Sequence, residues 1–373
     1  MSKVIKFADE EAAVLELSRL YGHFGFKHFK MSKFEEYELY SQNKDFLLGS
    51  SVITFTDTNG SLMALKPDVT LSIVKGSNDN FDVPEKVYYS ENVYRIDKGT
   101  HRFREITQLG LESIGDLDDY SVSEVIMLAK ASLNAISDRN ILDISSMAFI
   151  LGLLDGIELS DRKKTRLIEC IRTKNTLEME NCCKEYGIGF EVSNALKALT
   201  TIYGPFEKCV DELKAISLNE KTDAAAAELE TVYGYLKLCG LDGGINLDFS
   251  IVNDLNYYNG VIFNGFVLGV PNVVLSGGRY DNLMRKFGKK SGAIGFAVYL
   301  SELSRMMRSG DEYDVDTLIL YDKGDDLSAI AQHVKSVSEQ GRSVRVQRTK
   351  GGLKCRTVLK IKGTEVEIIE NHD

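Results

Sequence analysis

The sequence of 373 residues lacks a long apolar run, since no stretch approaches the ~18–20 residues that a membrane-spanning helix needs. Its first residues, Met1 to Phe7, lead into Asp9, Glu10 and Glu11 without an apolar core or a small-residue cleavage site. A secretory signal is therefore not indicated. We expect a cytoplasmic protein with no membrane partner.

Metal-ligand patterns and positive charge are also scarce. The six cysteines form no Cys-x-x-Cys pair and the five histidines are scattered, so no zinc-ligand spacing is present. We predict reduced thiols, no metal and no cofactor. The net charge of −10 disfavours nucleic acids and anionic membrane surfaces as partners, because basic residues bind both.

Apolar residues are plentiful: they make up 43% of the chain, enough for a sizeable core, and the length allows two or three domains. Val52–Thr56 and Leu62–Leu65 flank Asn59-Gly60, a pattern that predicts a tight β-hairpin. Residues 86–96 and 102–114 predict a second hairpin. Together these hairpins indicate a sheet that is mainly antiparallel.

The remaining sequence divides by its periodicity. Residues from about 121 to 241 have a helical pattern and predict an insertion between strands of the sheet. Short strands around one helix predict a small α/β unit over 311–373, which is short for an independent fold. The predicted fold is therefore α+β. A domain over 1–310 contains the helical insertion, and a small C-terminal domain follows it.

The segment 102–114 carries the most chemistry. Because side chains alternate along a strand, Gln108, Gly110 and Glu112 share one face. The glycine leaves a slot between an amide and a carboxylate, which suits a small zwitterion with a donor ring. Arg95, on the partner strand, is placed to pair with a carboxylate or phosphate. Taken alone, Glu112 has an equally simple interpretation as a surface residue opposite an arginine.

Two further segments add polar and aromatic groups. Pro67 fixes a turn after the first hairpin, and Asp68 and Thr70 are suited to receive an ammonium group. The same two residues also suit a helix N-cap. Tyr257 and Tyr258 offer an aromatic wall with hydroxyl ends, or simply core packing.

Seven segments, taken in order, resemble histidyl-tRNA synthetase over about residues 10 to 305. They are Leu65–Thr70, Tyr94–Asp97, His101–Glu105, Gln108–Glu112, Leu255–Gly260, Gly277–Asp281 and Gly295–Ala297. The resemblance implies the class II aminoacyl-tRNA synthetase fold, an antiparallel sheet flanked by helices. It also implies a histidine pocket made by Asp68, Thr70, Arg95, Gln108, Glu112, Tyr257 and Tyr258.

The resemblance also implies a role for each pocket residue. Asp68 and Thr70 would hold the amino group, and Gln108 the amino-acid backbone. Glu112 and Tyr257 would hold the two imidazole nitrogens. Tyr258 would line the pocket. Arg95 would face the carboxylate and the α-phosphate.

Three positions depart from the synthetase pattern. Asn253 stands where an arginine assists activation, and Glu302 stands where an arginine clasps the ATP phosphates. An acid at ~4 Å from a phosphate, with an effective dielectric constant near 20, replaces attraction by repulsion on the order of 4 kcal/mol. Ser32 replaces a proline of the dimer-interface motif. The pocket is thus retained while groups for adenylation are missing.

This combination is similar to the ATP phosphoribosyltransferase regulatory subunit, a family of synthetase paralogues. The resemblance implies no catalytic activity of its own and a short catalytic phosphoribosyltransferase as partner. It further implies histidine as the feedback ligand in the first step of histidine biosynthesis. We expect a homodimer within a hetero-oligomer, and no tRNA partner.

Two other hypotheses stay open at this point. A divergent, active histidyl-tRNA synthetase would use the C-terminal basic residues to read tRNA, although a solvated basic face explains them as well. They are Arg342, Arg345, Arg348, Lys350, Lys354, Arg356, Lys360 and Lys362. Alternatively, a synthetase-like protein has been recruited for another amino acid.

Overall fold

The computed structural model describes residues 5–7, 9–43, 52–79, 83–96, 102–252, 257–307, 313–363 and 365–372. Its helices are α1 (Glu10–His23), α2 (Tyr37–Gln42), α3 (Thr70–Gly76), α4 (Asp119–Ile136), α5 (Met147–Leu153), α6 (Asp161–Arg172), α7 (Thr176–Tyr186), α8 (Phe190–Leu199), α9 (Phe206–Ala215), α10 (Glu220–Leu238), α11 (Asp281–Lys286), α12 (Leu300–Met307) and α13 (Leu327–Glu339). Its strands are β1 (Lys27–His28), β2 (Phe34–Glu36), β3 (Thr54–Thr56), β4 (Leu62–Leu65), β5 (Glu85–Ile96), β6 (Phe103–Gly115), β7 (Asn140–Ser146), β8 (Tyr203–Pro205), β9 (Ile245–Asp248), β10 (Val261–Val267), β11 (Leu275–Arg279), β12 (Gly292–Tyr299), β13 (Val315–Leu320), β14 (Val344–Gln347), β15 (Cys355–Lys362) and β16 (Glu365–Asn371). Two compact units result, Met1–Met307 and Arg308–Asp373.

A central sheet organises the first unit. Among the described residues its strands follow the order β1-β5-β6-β12-β11-β10-β7-β9-β8. The β1–β5 and β7–β9 pairs are parallel and the remaining pairs are antiparallel, so the sheet is mixed but mainly antiparallel. The antiparallel β5–β6 pair confirms the second predicted hairpin, whose turn lies outside the described residues.

The first predicted hairpin is also confirmed, by the antiparallel pairing of β3 with β4. Its turn has a local cause: the Asp57 carboxylate accepts hydrogen bonds from the backbone N–H groups of Asn59 (2.8 Å) and Ser61 (2.9 Å). Gly60 has φ +85°, a left-handed conformation that favours glycine. With β2 these strands form a separate three-stranded sheet.

The predicted helical stretch from about 121 to 241 contains two strands of the central sheet, β7 and β8, that the sequence reasoning missed. β7 lies inside the central sheet, between β10 and β9. Leu142 and Ile144 are buried there, as are the intervening polar residues Asp143 and Ser145. Its seven residues follow α4 directly and lead into α5, so the helical periodicity on both sides masks a short strand.

The helices that pack on the sheet begin at capping residues that can be recognised in the sequence. The α1 helix begins at Asp9, whose carboxylate accepts a hydrogen bond from the Ala12 backbone N–H (2.8 Å). Leu17 and Tyr21 of α1 are buried, and α1 packs against α4, α12 and β5. Asp118 caps α4 in the same way through Ser121. The α4 helix packs across β7, β10, β11 and β12.

The second unit has the elements that the sequence predicts for 311–373. Its sheet has the order β14-β13-β15-β16, with β13 parallel to both neighbours and β15 antiparallel to β16. Helix α13 packs against β14. Four of its basic residues form ion pairs with acids, namely Lys350 with Glu370, Arg356 with Asp316, Lys360 with Asp322 and Lys362 with Glu367. The positive charge of each of these four residues is therefore paired with an acidic side chain.

Candidate functional site

One cavity over the central sheet brings together all seven predicted site residues. The described residues that line it are Asp68, Thr70, Tyr89, Arg95, Gln108, Glu112, Tyr257, Tyr258, Ser276, Tyr280, Gly295, Phe296, Ala297 and Tyr299. They come from β5, β6, β11, β12, the start of α3 and the segment before β10. The sequence placed these residues far apart, and the strand order makes them neighbours.

Strand register explains the floor of the cavity. Glu112 lies opposite Gly295 on β12, and Gly295 lies opposite Gly278 on β11. Side chains at opposed positions share a face, so the two glycines form a trough beside Glu112. A Cβ atom on Gly295 would overlap the Glu112 carboxylate, and one on Gly278 would lie 2.7 Å from Tyr258 Cδ1. The glycines thus make room for the polar groups.

Gly110 plays a different part from the one expected. The sequence suggested an open slot above this glycine, between Gln108 and Glu112. Instead, a Cβ atom there would overlap the hydroxyl end of Tyr89 and the carbonyl oxygen of Phe296. The space is already filled by Tyr89, which is 2% exposed. The prediction of an empty slot is therefore wrong, because the glycine accommodates a tyrosine from the neighbouring strand.

Glu112 is the most buried acid of the cavity, with 2% exposure, so it is not a surface residue. Thr70 Oγ1 donates a hydrogen bond to its Oε1 (2.9 Å), and the Tyr280 hydroxyl donates to its Oε2 (2.6 Å). Burial raises the pKa of Glu112 to about 8; the two hydroxyl donors oppose this rise, and nearby Asp68 adds to it. The carboxylate is thus prepared to accept a further donor or a positive charge.

Tyr280 is a site residue that sequence reasoning did not single out. Its ring is 2% exposed and its hydroxyl contacts Glu112 directly. The signal was present, since Tyr280 belongs to the segment Gly277–Asp281 that carries part of the family resemblance, and it follows Gly278 of the trough by two residues.

Asp68 fits both interpretations offered by the sequence. Its Oδ1 accepts a hydrogen bond from the Leu71 backbone N–H (2.9 Å) in the first turn of α3. The same side chain lines the cavity. Burial raises its pKa, while the Leu71 N–H and the Arg95 charge oppose that rise. One carboxylate therefore stabilises the helix start and adds negative charge to the cavity.

Arg95 is the one cation among the described residues that line the cavity. Its Nε donates a hydrogen bond to the Pro67 carbonyl oxygen (2.9 Å), which holds the guanidinium beside the turn that carries Asp68. Gln108, 4% exposed, lies on the adjacent strand. Arg95 therefore shares the cavity with two acids, Asp68 and Glu112, whose pKa values are both raised by burial.

Three tyrosine rings close the cavity. Tyr257 and Tyr258 are 4.6 Å apart, centroid to centroid, in an edge arrangement, and Tyr257 lies 5.9 Å from Tyr280. Burial raises the pKa of all three phenols above the ordinary value, so they stay neutral. Tyr257 and Tyr258 therefore pack as core residues and line the cavity at once.

Two of the three departures from the synthetase pattern lie among the described residues. Asn253 falls outside the described residues. Glu302 lies in the first turn of α12, where its Oε2 accepts a hydrogen bond from Asn272 Nδ2 (2.6 Å), and it is not among the residues that line the cavity. Ser32 precedes β2, and its Oγ accepts a hydrogen bond from the Phe34 backbone N–H (3.1 Å).

Other site classes leave little trace in the described part of the chain. No group of three or more histidine, cysteine or acidic side chains there is placed to ligate a metal. The helices of that part include none with the length and apolarity to cross a membrane. The cysteines are unpaired, and Cys239 is the exposed one.

Comparison with known proteins assigns the chain. The histidyl-tRNA synthetase family model matches residues 5–303. The ATP phosphoribosyltransferase regulatory subunit of Caldanaerobacter subterraneus is 33% identical over 280 residues, which cover 74% of this chain and 72% of that protein. The chain belongs to the histidyl-tRNA synthetase family, among the ATP phosphoribosyltransferase regulatory subunits.

Solved structures of this family have the same fold. The ATP phosphoribosyltransferase regulatory subunit/histidyl-tRNA synthetase of Bacillus halodurans superposes with a TM-score of 0.75 at 23% identity, covering 93% of both chains. A chain of the ATP phosphoribosyltransferase complex of Thermotoga maritima gives 0.60 at 19% identity, covering 79% of this chain and 98% of that one. The predicted fold class and family are confirmed.

Proposed function

We propose that this chain is the histidine-sensing, non-catalytic regulatory subunit of ATP phosphoribosyltransferase, the enzyme of the first step of histidine biosynthesis. The observation that carries the proposal is the buried Glu112 carboxylate, which has two hydroxyl donors and no cation at hydrogen-bond distance among the described residues. Such a group is suited to an imidazole that supplies its own N–H or its own charge.

Histidine fits the distribution of polar groups in the cavity. Its ammonium group would bind Asp68 and the Thr70 oxygen, and its carboxylate would bind Arg95. Gln108 would contact the backbone of the ligand. Glu112 and the Tyr257 hydroxyl would hold the two ring nitrogens, with Tyr258 against the ring. A zwitterionic ligand then meets a complementary group at each end, and an imidazolium beside Glu112 would favour the ionised form of that carboxyl.

Adenylation by this chain is disfavoured by charge. We infer that Asn253 and Glu302 replace the arginines that a synthetase uses for activation and for clasping ATP. The Glu302 carboxylate repels a triphosphate, and phosphoryl chemistry depends on the opposite charge at that position. The chain would therefore bind histidine without activating it, and it is not itself an enzyme.

Regulation follows when histidine binds one conformation of an assembly more tightly than another. A difference of ~1–3 kcal/mol is typical for allosteric coupling and is enough for feedback inhibition. We propose a short ATP phosphoribosyltransferase catalytic subunit as the partner, a homodimer of this chain within the hetero-oligomer, and a cytoplasmic location. The names of the relatives support the partner.

Calorimetric titration tests the proposal. We expect L-histidine to bind saturably and L-leucine not to bind, because the side chain of leucine has no hydrogen-bond donor for Glu112. Histidine-dependent exchange between pyrophosphate and ATP should be absent. Measurable exchange, or charging of histidine tRNA in a filter assay, would instead establish a divergent synthetase.

A thermal shift screen against the twenty amino acids tests the third hypothesis, that a synthetase-like protein has been recruited for another amino acid. A specific ligand at ~100 times its dissociation constant adds roughly 2.7 kcal/mol to the unfolding free energy. Histidine should give the largest shift. A larger shift with another amino acid would reassign the pocket.

A further inference from the structure

A fully buried lysine lies next to the turn that carries Asp68. Lys66 is 0% exposed, and its Nζ donates a hydrogen bond to Glu91 Oε2 at 2.6 Å. The Glu91 side chain is 12% exposed, and its other oxygen lies 3.4 Å from the Met31 backbone nitrogen, which donates to it. Neither Lys66 nor Glu91 is among the described residues that line the cavity.

The pair is part of a set of contacts that fix the turn to β5. The Tyr94 backbone N–H donates to the Lys66 carbonyl oxygen (2.9 Å), and Arg95 Nε donates to the Pro67 carbonyl oxygen (2.9 Å). Glu91, Tyr94 and Arg95 all belong to β5. The chain then reaches Asp68, so the position of its carboxylate depends on how Lys66 and Pro67 are held.

Stability alone does not account for this ion pair. Removing two charges from water costs about as much as their attraction returns, and apolar residues of similar size often replace such pairs without loss. Binding sites, by contrast, need their groups within about 0.5 Å of the productive geometry. An ion pair with a single favoured arrangement supplies that precision where apolar packing does not.

We propose that Lys66 and Glu91 are positioning residues that set the place of the Asp68 carboxylate and so determine affinity for the ammonium group of the ligand. The inference rests on the proposed function, because it takes histidine as that ligand. Neither residue contacts the ligand. The ion pair affects only the part of the site that binds the ammonium group. The part that contains Glu112 therefore keeps its affinity for the imidazole ring when the pair is removed.

The test replaces both charges at once, in Lys66→Met/Glu91→Leu, because removal of one charge leaves the other buried and unpaired, which is strongly destabilising. Calorimetry measures L-histidine and imidazole-lactate, in which a hydroxyl group replaces the ammonium group. We expect unchanged or higher thermal stability, about tenfold weaker binding of L-histidine and the same affinity for imidazole-lactate. Lys66→Arg, which keeps the charge, should retain most of the affinity for L-histidine.

A matched control exists on the same strand. Lys86 of β5 forms an ion pair of the same length, 2.6 Å, with the buried Glu124, and neither lines the cavity. The Lys86→Met/Glu124→Leu variant should bind both ligands as the unaltered protein does. Equal affinity of the Lys66/Glu91 double variant for L-histidine would overturn the inference, as would a parallel loss for both ligands. Absence of L-histidine binding to the unaltered protein would instead overturn the proposed function.

Discussion

The middle of β12 and the helix that follows this strand differ in how they accommodate an acidic side chain. Within the strand, Gly295 gives space to the Glu112 carboxylate, which is buried and has hydroxyl donors on both oxygens. Beyond the end of the strand, Glu302 is half-buried in the first turn of α12 and accepts from the Asn272 amide. The helix N-terminus favours the Glu302 carboxylate, whereas burial disfavours the charged form of Glu112 and raises its pKa to about 8.

We infer from this difference that the chain has kept one half of a synthetase site. The Glu112 end is prepared for a donor or cation of amino-acid size. The Glu302 end has negative charge where the synthetase pattern calls for a phosphate-binding arginine. We infer that recognition of the amino acid persists without the chemistry that would consume it. The variants proposed for Glu112 and Arg95 change the amino-acid pocket, and the variant proposed for Glu302 changes the other position.

The largest effect is expected from Glu112→Gln. Hydrogen bonds to charged groups contribute about 1.5–3 kcal/mol, so loss of the charge should weaken L-histidine binding by roughly 10–100-fold in calorimetry. Glu105→Gln is the matched control, since Glu105 is an exposed acid of the same strand that accepts hydrogen bonds from Asn92 and Tyr94. Equal affinity of both variants would remove Glu112 from the ligand site.

Arg95→Ala should have the next largest effect. Loss of a charge-assisted contact to the carboxylate predicts binding of L-histidine weaker by about 2 kcal/mol, or roughly 30-fold. L-histidinol lacks the carboxylate, so its affinity should change little. A titration in which both ligands lose affinity equally would show that Arg95 acts through the fold of the turn and not through the ligand carboxylate.

The empty protein should also depend on pH through Glu112. Its pKa rises from 4.5 to about 8 on folding, so the folded state keeps a proton that the unfolded chain releases. The stability associated with this group is present below about pH 4.5 and is lost as the pH rises towards 8. The slope is at most about 1.4 kcal/mol per pH unit. Urea unfolding between pH 5 and 8 measures it.

Glu112→Gln should flatten that slope, since glutamine does not titrate. Asp68, whose pKa is also raised by burial, contributes a change of the same sign that remains in the variant. Parallel pH profiles for the two proteins would contradict the assignment of the raised pKa to Glu112. Saturating L-histidine should reduce the slope in the unaltered protein by stabilising the charged form.

The smallest effect on histidine is expected from Glu302→Arg. Glu302 is not among the described cavity-lining residues, so the affinity for L-histidine should stay within about twofold, less than 0.5 kcal/mol. Binding of ATP, measured in parallel, should strengthen because repulsion is removed. A large loss of histidine affinity would show that the Glu112 pocket and the Glu302 position do not act independently.

Sequence reasoning reached the pocket but not its internal packing. Glu112, Gln108 and Arg95 were identifiable because strand alternation places polar groups on one face. Tyr89 filling the space over Gly110 depends on which strand lies beside β6 and on its register, and neither can be read from one segment. β7 was hidden between helices, and Lys66 only gains meaning from its burial against Glu91.

The most direct test of the central claim is the activity of a short ATP phosphoribosyltransferase catalytic subunit reconstituted with this chain and titrated with L-histidine. We predict that the chain raises the activity, that L-histidine then inhibits it, and that the Glu112→Gln chain keeps the activation but needs roughly 10–100-fold more L-histidine for the same inhibition. Activity that does not depend on this chain, or histidine inhibition that is unchanged by Glu112→Gln, would contradict the account.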